Sequence, residues 1–455
     1  MRIHLDITDL IEFLCTADVL HGVQNVTHQV ILQIAAKPGA RLIGFHPIFG
    51  RPFTLELAQV SRDILAEPKR FKTLFGLDGR HPVKSASAVR NRHTGRPLRQ
   101  LFEHGKRHLR LRLRNLHRPR PPLMLHADVQ GFAIDAGDLV LVPGLNVWYP
   151  EHNSALGAYV PGRGARLVVV VHDLGPITAA AYFPASYRAA FRDWMESLLP
   201  HADLFVAVSE HTRRELAALD NSLRRDTVCI VNPDAHEFPL VGASEPDGSI
   251  NQLAQSDYVL HVGRIEPRKN LIGLVTVWGR LARELGSALP MLVLAGRMNY
   301  PDGAFEAALA TIGPAAERIR LLKDVSAPDL ARLYAGCRFA VYPSFYEGWG
   351  LPVGEAASFG KVTAASNAAS IPEVVGDLAV YFDPHDLDAM AAVLRRLILD
   401  NAHLAALEAR LKAEFHPRSW ADCATQLIEI ASRPDITASS GSLFHGKLEL
   451  SERRI

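Results

Sequence analysis

The stretch from Tyr342 to Gly360, YPSFYEGWGLPVGEAASFG, constrains the fold of this chain more than any other. It continues a short apolar run from Phe339, which predicts a buried strand of a parallel sheet. A glycine-rich loop follows, and Pro352 predicts a helix start, because the N–H that proline lacks has no partner in a first turn. A strand, a glycine loop and a helix in this order typically hold an anion, since backbone amides and the positive helix end face it.

Two glutamates bracket this loop, Glu347 before it and Glu355 in the predicted first turn of the helix. Taken singly, either glutamate favours a structural interpretation, a loop with an acid that complements the helix dipole. The pair is more specific, because the two carboxylates stand eight residues apart with Gly348, Gly350 and Gly354 close by. We therefore predict a ligand site at this loop.

Length and composition indicate a water-soluble protein of two domains. At 455 residues the chain exceeds one ordinary core, and 48% of its residues are apolar while 22% are charged. The cysteines are scattered and form no CxxC pair, which disfavours a zinc site or a disulfide framework and is typical of a reducing cytoplasm. They are Cys15, Cys229, Cys337 and Cys423. The N-terminus does not look like a signal peptide, and no run approaches the roughly 20 apolar residues of a membrane span.

Short apolar runs alternate with helical patterns, which predicts βαβ units, parallel sheets and the α/β class. The first strand is predicted at Arg2–Ile7, and the first helix has Val23, Val26, Val30 and Ile34 on one face. Another helix is predicted over 184–199, and a third after Ser209, a good N-cap. The remaining strands are predicted over 139–142, 167–171, 204–208, 227–231, 258–263, 291–295, 319–323, 339–343, 362–365 and 379–382.

A polar stretch over residues 238–257 divides this pattern, and its Gly, Pro and Ser content without periodicity predicts an interdomain linker. We expect a first domain over residues 1–237 and a second over 258–418. A further helix is predicted over 419–432, and the polar residues 433–455 are expected to form a loose tail.

The pattern Glu347-x7-Glu355 within YPSFYEGWGLPVGEAAS resembles the signature of the retaining glycosyltransferases of family four. HVGRIEPRKN, His261–Asn270, and SNAASIPEVVGDLAVYFDP, Ser366–Pro384, resemble other donor-binding segments of that family in the expected order. The resemblance covers nearly the whole chain and is strongest from about residue 165 to 425. It implies the GT-B fold, in which two Rossmann-like domains with parallel sheets face a central cleft and the last helix crosses back. The first domain would bind the acceptor and the second the nucleotide sugar.

A nucleotide-sugar donor carries a diphosphate, which needs cations. Arg264 and Lys269 lie five residues apart where a predicted strand meets a helix. There a guanidinium can grip two oxygens while an ammonium neutralises the leaving charge. The resemblance implies this role for both residues and further phosphate contacts at Gly22 and Ser370. Around Gly22 the chain departs from the family pattern, because His21 stands where the family has a glycine.

The ribose and the sugar of the donor need groups that accept hydrogen bonds from hydroxyls. We assign Glu355 to the ribose and Glu347 to the sugar, close to the reaction centre, as the resemblance implies. Backbone amides of the loop would assist Glu347. They belong to Gly348, Trp349, Gly350 and Leu351.

The predicted strand over 167–171 ends in His172-Asp173, at the sheet edge where catalytic groups of such folds lie. Taken alone, the pair is equally consistent with a catalytic role and with a hydrogen bond within the loop. The resemblance implies a histidine beside the donor sugar here, so His172 joins Arg264, Lys269 and Glu347 as a catalytic candidate. The acceptor candidates are Asp173, Trp148 and Tyr149. The two aromatic rings could stack on a sugar face or simply pack within their own loop.

The resemblance implies transfer with retention, in which the acceptor attacks the face from which the phosphate leaves and the phosphate oxygen takes the proton. Charge stabilisation by Arg264 and Lys269 is then the main catalytic device. No cofactor or metal is expected besides the donor itself. The DxD sequence over 386–388 predicts a helix N-terminus rather than a metal site.

Residues 84–120 hold twelve Lys or Arg against one acid, Glu103. Apolar residues recur there mainly every three or four positions, which predicts a basic amphipathic helix. Such a helix suits an anionic membrane surface or a nucleic acid. A solvated helix lying on its own domain is an equally good interpretation.

We therefore predict a cytoplasmic glycosyltransferase that moves a hexose onto a surface glycan or lipid-linked acceptor, with no nucleic-acid partner. EGWGLPV and SEHT resemble bacterial mannosyl- and rhamnosyltransferases, which makes GDP-mannose the first choice of donor. A Rossmann-type epimerase or dehydrogenase would need a GxGxxG turn after the first strand, where the chain has a single glycine before Gly39. A non-catalytic membrane- or nucleic-acid-binding protein on this scaffold would have lost its donor residues. All four are present: Arg264, Lys269, Glu347 and Glu355.

Overall fold

The computed structural model describes residues 1–15, 20, 22–47, 51–77, 124–125, 129–219, 227–238, 248–301 and 303–433. The predicted basic helix over 84–120 and all but the first residue of the predicted tail over 433–455 lie outside these residues. Among the helices that the structure describes, none combines the length and the apolar character needed to span a bilayer.

The first domain is built on an eight-stranded sheet with the order β4-β3-β2-β1-β5-β6-β7-β8. Its strands are β1 Ile3–Asp6, β2 Arg41–His46, β3 Arg51–Glu56, β4 Met124–Leu125, β5 Leu139–Val142, β6 Arg166–Val171, β7 Leu204–Ala207 and β8 Val228–Val231. In the part of the sheet with the order β2-β1-β5-β6-β7-β8, neighbouring strands run parallel, as predicted. Strands β2, β3 and β4 form an antiparallel edge that the sequence did not predict. The short connection from β2 to β3 cannot contain a parallel crossover, so the two strands pair antiparallel.

The described helices of this domain include the predicted ones. They are α1 Thr8–Leu14, α2 Val23–Ile34, α3 Arg62–Ala66, α4 Pro68–Leu74, α5 Pro150–Gly162, α6 Gly175–Thr178, α7 Ala185–Leu198 and α8 Glu210–Ala218. In α2 three residues of the predicted apolar face, Val26, Val30 and Ile34, are buried, whereas the fourth, Val23 in the first turn, is only partly buried. Helix α8 begins after Ser209, whose Oγ accepts a hydrogen bond from the Thr212 amide at 3.0 Å, as an N-cap does.

The second domain is built on a six-stranded parallel sheet with the order β11-β10-β9-β12-β13-β14. Its strands are β9 Tyr258–Val262, β10 Met291–Ala295, β11 Ile319–Leu322, β12 Ala340–Tyr342, β13 Thr363–Ser366 and β14 Val380–Phe382. All six lie where the sequence predicted strands. The order reverses between β9 and β12, which are adjacent in the sheet but far apart in the chain. Open α/β sheets bind ligands at such a switch point, beyond the carboxyl ends of the strands.

The helices described for the second half of the chain follow these strands. They are α9 Gly248–Leu253, α10 Leu271–Leu285, α11 Ala304–Thr311, α12 Ala327–Gly336, α13 Leu351–Ser358, α14 Ile371–Val375, α15 Leu387–Leu399, α16 Asn401–Glu414 and α17 Trp420–Ser432. Helix α9 lies within the predicted linker, where no apolar period indicated it. Helix α15 begins after Asp386, whose Oδ1 accepts hydrogen bonds from the amides of Asp388 and Ala389 at 2.9 and 2.8 Å. The DxD sequence is therefore a helix N-cap, as predicted.

Helix α17 crosses back to the first domain and packs against α2. Asn232 Nδ2, just after β8, donates to the Cys423 carbonyl at 3.1 Å. Trp420 Nε1 donates to the Glu237 carbonyl at 3.0 Å. The segment that leaves the first domain and the helix that returns to it therefore run side by side.

Candidate active site

Three cations follow strand β9. Arg264 lies in the loop, while Arg268 and Lys269 belong to one 3₁₀ turn, Pro267–Lys269, before α10. The Arg264 side chain is 61% exposed, and its Nε stands 3.6 Å from a Glu266 oxygen. An exposed guanidinium in a weak ion pair can turn toward a phosphate without losing much contact energy.

Lys269 is buried and reaches the carboxyl end of β12. Its Nζ donates to Glu347 Oε1 at 2.6 Å and to the Tyr342 hydroxyl at 2.7 Å. Burial lowers the pKa of the ammonium, and the Glu347 carboxylate opposes that shift. The predicted phosphate-binding lysine is therefore paired with the glutamate predicted to bind the sugar.

Glu347 is held by a second cation. Arg268 Nη1 donates to Glu347 Oε2 at 2.5 Å, and Arg268 Nη2 donates to Glu266 Oε1 at 3.0 Å. Burial alone would raise the pKa of the Glu347 carboxyl, but the charges of Arg268 and Lys269 lower it to about 2. Glu347 is consequently ionised at neutral pH and can only accept hydrogen bonds.

Arg268 is a site residue that the sequence analysis missed. Its contact with Glu347 joins residues 79 positions apart, which becomes visible only when β9 and β12 are seen to be neighbours. The signal in the sequence was slight, since a second basic residue beside Lys269 is equally typical of a solvated turn.

The loop after Glu347 brings backbone amides to the start of α13. Gly350 has a φ of 116°, which residues with a Cβ rarely adopt, and Leu351 begins the helix. Ser370 Oγ, from the turn before α14, bonds the carbonyls of Glu347 and Trp349 at 2.8 and 2.9 Å. The Ser370 hydroxyl therefore braces the loop, and its contact with a donor phosphate stays a prediction.

Glu355 is the fifth residue of α13, so it lies beyond the first turn in which the sequence analysis placed it. The Tyr334 hydroxyl donates to Glu355 Oε2 at 2.7 Å. Burial raises the pKa of the Glu355 carboxyl to about 7, against the effect of the Tyr334 hydrogen bond. A carboxyl accepts two ribose hydroxyls best when ionised, so nucleotide binding and protonation of Glu355 should compete.

The carboxyl end of β6 meets the glycine loop of the second domain. A Cβ added to Gly348 would lie 1.9 Å from the His172 carbonyl oxygen, so this approach requires glycine. The His172 ring is buried, and its Nε2 donates to the Pro143 carbonyl at 2.6 Å. Burial raises the pKa of the neighbouring Asp173, and the charge of Arg268 opposes that shift. The structure thus brings the predicted His-Asp pair to the cation cluster of the second domain.

The other predicted residues of the first domain differ in what they can offer a ligand. Gly22 is exposed at the start of α2, has a φ of 53°, and has open space where a Cβ would lie. Trp148 is half-buried, with its ring 6.0 Å from that of Tyr187. Tyr149 is buried, and its hydroxyl donates to Glu12. The sequence left open whether these two rings bind a sugar or pack within the protein. Tyr149 packs within the domain, whereas the ring of Trp148 is partly accessible.

Asp9, in the first turn of α1, is a further candidate that the sequence analysis missed. Its Oδ2 accepts a hydrogen bond from Gln24 Nε2 at 2.9 Å, and its amide donates to Asn146 Oδ1 at 3.0 Å. Burial raises the pKa of Asp9 to about 7. Burial raises the pKa of Tyr187, and the charges of Asp173 and Asp9 add to that shift, so both carboxyls interact electrostatically with the Tyr187 hydroxyl. In the sequence, Asp9 cannot be distinguished from an acid that complements a helix dipole.

Two family models match the chain, one in each domain. The model described as Glycosyltransferase Family 4 matches residues 81–233, and the model described as Glycosyl transferases group 1 matches residues 248–414. The O-antigen chain mannosyltransferase B of Escherichia coli is 35% identical over 272 residues, which cover 59% of this chain and 71% of that protein. The serotype-specific mannosyltransferase WbdA of Escherichia coli is 28% identical over 293 residues, 62% of this chain. This match spans only 35% of the length of WbdA.

Solved structures show the same architecture. Sucrose-phosphate synthase from Thermosynechococcus elongatus superposes with a TM-score of 0.58 at 20% identity, over 94% of this chain and 98% of that one. Anabaena Alr3699/HepE in complex with UDP superposes with a TM-score of 0.57 at 14% identity, over 95% of this chain and 100% of that one. At these identities the likeness concerns the fold, which is GT-B. With both domains matched by their models and a relative at 35% identity, the chain belongs to the group 1 glycosyltransferases of family four.

Proposed function

We propose that this glycosyltransferase moves a mannosyl residue, with retention of configuration, from GDP-mannose to a growing surface glycan carried on a lipid. The names of both relatives, both mannosyltransferases, support the sugar, and the name of the O-antigen chain mannosyltransferase supports the kind of acceptor. The observation that carries the proposal is the cluster of Lys269, Arg268 and Glu347 at the switch point of the second sheet. It combines cations for a diphosphate with an ionised carboxylate for sugar hydroxyls.

The contacts of the cluster suggest how each residue acts. When the donor binds, Lys269 exchanges Glu347 for the diphosphate, and the exposed Arg264 turns to a second phosphate oxygen. Arg268 stays on Glu347 and keeps that carboxylate ionised and in place beneath the sugar. The bond from the anomeric carbon to the phosphate breaks, and the acceptor oxygen bonds to the carbon on the same face. The departing phosphate oxygen takes the acceptor proton, and Arg264 and Lys269 stabilise its charge. No metal or cofactor takes part in this scheme.

A donor panel tests the proposed activity. The melting temperature of the purified protein should rise with GDP more than with UDP, ADP or dTDP, because a ligand of the native state stabilises it. Transfer of labelled sugar to a lipid-linked glycan should be fastest from GDP-mannose. Lys269→Ala should abolish transfer, while Lys323→Ala, which removes an exposed lysine after β11, should not. Faster transfer from a UDP-sugar would refute the donor, and nucleotide binding without transfer from any donor would favour a non-catalytic scaffold.

We also propose that residues 84–120 hold the enzyme against the cytoplasmic face of the membrane that carries its acceptor. The support is the sequence itself, with twelve cations and apolar residues at helical spacing. Near an anionic surface, each cation contributes about 1 kcal/mol of binding free energy.

Liposome flotation tests this contact. The protein should float with anionic and not with neutral liposomes, and salt should release it. Charge reversal within the segment should abolish flotation but leave transfer to a soluble acceptor intact. The changed residues are Arg107, Arg110 and Arg114. The matched control reverses three exposed cations of the second domain: Arg283, Arg320 and Lys323. If the wild type failed to float with anionic liposomes at low salt, the basic residues of this segment would serve only as a solvated surface.

A further inference from the structure

Two side chains of the second domain bind the first domain at helix α8, outside the donor-binding residues. The first is Tyr346, which is buried within the loop between β12 and α13. Its hydroxyl donates to Glu215 Oε2 of α8 at 2.6 Å and accepts from the Leu174 amide after β6 at 3.1 Å. One hydroxyl group thus makes two hydrogen bonds across the domains.

The second is Glu373 of helix α14. Its two carboxylate oxygens accept hydrogen bonds from the backbone amides of Glu210 and His211 at 2.7 and 2.8 Å. These are the first two amides of α8, which have no partner within their own helix. The positive end of the helix dipole favours a carboxylate at this place. Glu373 of the second domain therefore caps the N-terminus of a helix in the first domain.

Glycines on both sides let the surfaces of the two domains meet closely. A Cβ at Gly175 of the first domain would lie 2.8 Å from Cε1 of Tyr346. A Cβ at Gly348 of the second domain would lie 1.9 Å from the His172 carbonyl oxygen. The contact is therefore fitted to one closed arrangement of the domains rather than loosely touching.

Both contacts are connected to Glu347. Tyr346 precedes it in the chain, and Arg268, which binds the Glu347 carboxylate, also donates to the Tyr346 carbonyl at 2.8 Å. Glu373 lies three residues after Ser370, whose hydroxyl bonds the Glu347 carbonyl at 2.8 Å. Tyr346 and Glu373 therefore connect the first domain to the backbone that carries Glu347.

We propose that Tyr346, Glu215 and Glu373 form an interdomain latch that positions Glu347 for sugar transfer only when the two domains are closed. The three are positioning residues, because they act on the sugar through Glu347. The latch ties the placement of the sugar-binding carboxylate to closure on the first domain, which carries the acceptor side. A loss of the latch should therefore reduce turnover while leaving the nucleotide contacts of the second domain intact.

The proposal rests on the proposed function for its kinetic test, and Tyr346→Phe is the sharpest variant because it deletes one oxygen atom. We expect kcat to fall at least tenfold, while the affinity for GDP, measured by isothermal titration, stays within twofold of the wild type. Glu373→Ala should behave similarly, and Glu373→Gln, which retains one accepting oxygen, should recover part of the loss. The control is Tyr381→Phe, which deletes a hydroxyl bonded within the second domain to the Gly376 carbonyl at 2.6 Å.

A structural readout separates the latch from the proposed activity. In small-angle X-ray scattering with GDP, the double variant of Tyr346→Phe and Glu373→Ala should have a larger radius of gyration than the wild type and the Tyr381→Phe control. An unchanged radius together with unchanged kcat would overturn the latch, as would a loss of GDP affinity that matches the loss of kcat. If the wild type transferred nothing, the proposed function would fail, and the scattering comparison alone would decide on the latch.

Discussion

Replacing Glu347 by glutamine should move nucleotide binding and sugar transfer in different directions. The glutamine keeps the size of the side chain and one accepting oxygen but removes the charge between two buried cations. Lys269 Nζ at 2.6 Å and Arg268 Nη1 at 2.5 Å both lose their anionic partner. The lysine is then released for a diphosphate, whereas the sugar loses its strongest hydrogen-bond acceptor.

The magnitudes follow from these contacts. Breaking a buried ion pair by removing one partner typically costs about 3–5 kcal/mol of unfolding free energy. Arg268 keeps Glu266 at 3.0 Å, so we expect the lower end, about 3 kcal/mol. Free GDP should bind at least as tightly as to the wild type, up to about tenfold tighter, or 1.4 kcal/mol. Transfer should fall by about 10²–10³, as when a charge-stabilising group is lost from an active site.

Isothermal titration with GDP and a transfer assay on the same preparations measure both effects. The matched control is Glu355→Gln, an identical chemical change eight residues later in the chain. It should weaken GDP binding, because the ribose loses its acceptor. Equal loss of GDP affinity in the two variants would mean that the roles assigned to the two glutamates are wrong. Chemical denaturation of Glu347→Gln tests the stability term separately.

Three further predictions concern neighbouring groups. Arg264→Ala should lower kcat/KM by about 30- to 1,000-fold, or 2–4 kcal/mol of transition-state stabilisation, and a near-normal rate in folded protein would remove Arg264 from the mechanism. Burial raises the pKa of Glu355 to about 7 in the folded protein, above its pKa in the unfolded chain. The wild type therefore loses stability as the pH rises from the unfolded pKa through the folded one. Glu355→Gln should therefore gain about 1–3 kcal/mol of unfolding free energy over the wild type between pH 5 and pH 8, and parallel denaturation profiles would contradict this. Asp386→Ala should cost about 0.5–2 kcal/mol of stability through the lost N-cap and leave transfer unchanged; a selective loss of metal-stimulated transfer would show that the DxD sequence binds a metal after all.

The elements that the sequence determined by itself are those that depend on near neighbours in the chain. Alternating apolar runs predicted the strands of the second sheet, and Ser209 and Asp386 marked the starts of their helices. Each of these signals acts within a few residues, because an N-cap bonds amides of its own first turn and an apolar run is buried wherever it lies. The order of glycines and glutamates after β12 likewise predicted a donor-binding loop and the family.

The antiparallel edge of the first sheet and the place of Glu355 were set by the fold instead. The short connection between β2 and β3 makes them antiparallel. The sequence analysis could not recognise that connection, because it predicted neither strand. Glu355 was expected in the first turn of α13, but the helix begins at Leu351 and leaves the carboxyl beyond the reach of the helix N-terminus. Burial, which depends on the packing around it, then sets its pKa.

Only the tertiary structure decided which charges meet. Lys269 and Glu347 were both predicted, but their mutual ion pair, the role of Arg268 and the contact of Tyr346 with Glu215 join residues 78, 79 and 131 positions apart. The strand order of the second sheet brings the ends of β9 and β12 together, and the closure of two domains brings α8 to the same loop. A charge in the sequence indicates that a partner is needed, but the partner is chosen by the distance between atoms, which depends on how the whole chain packs.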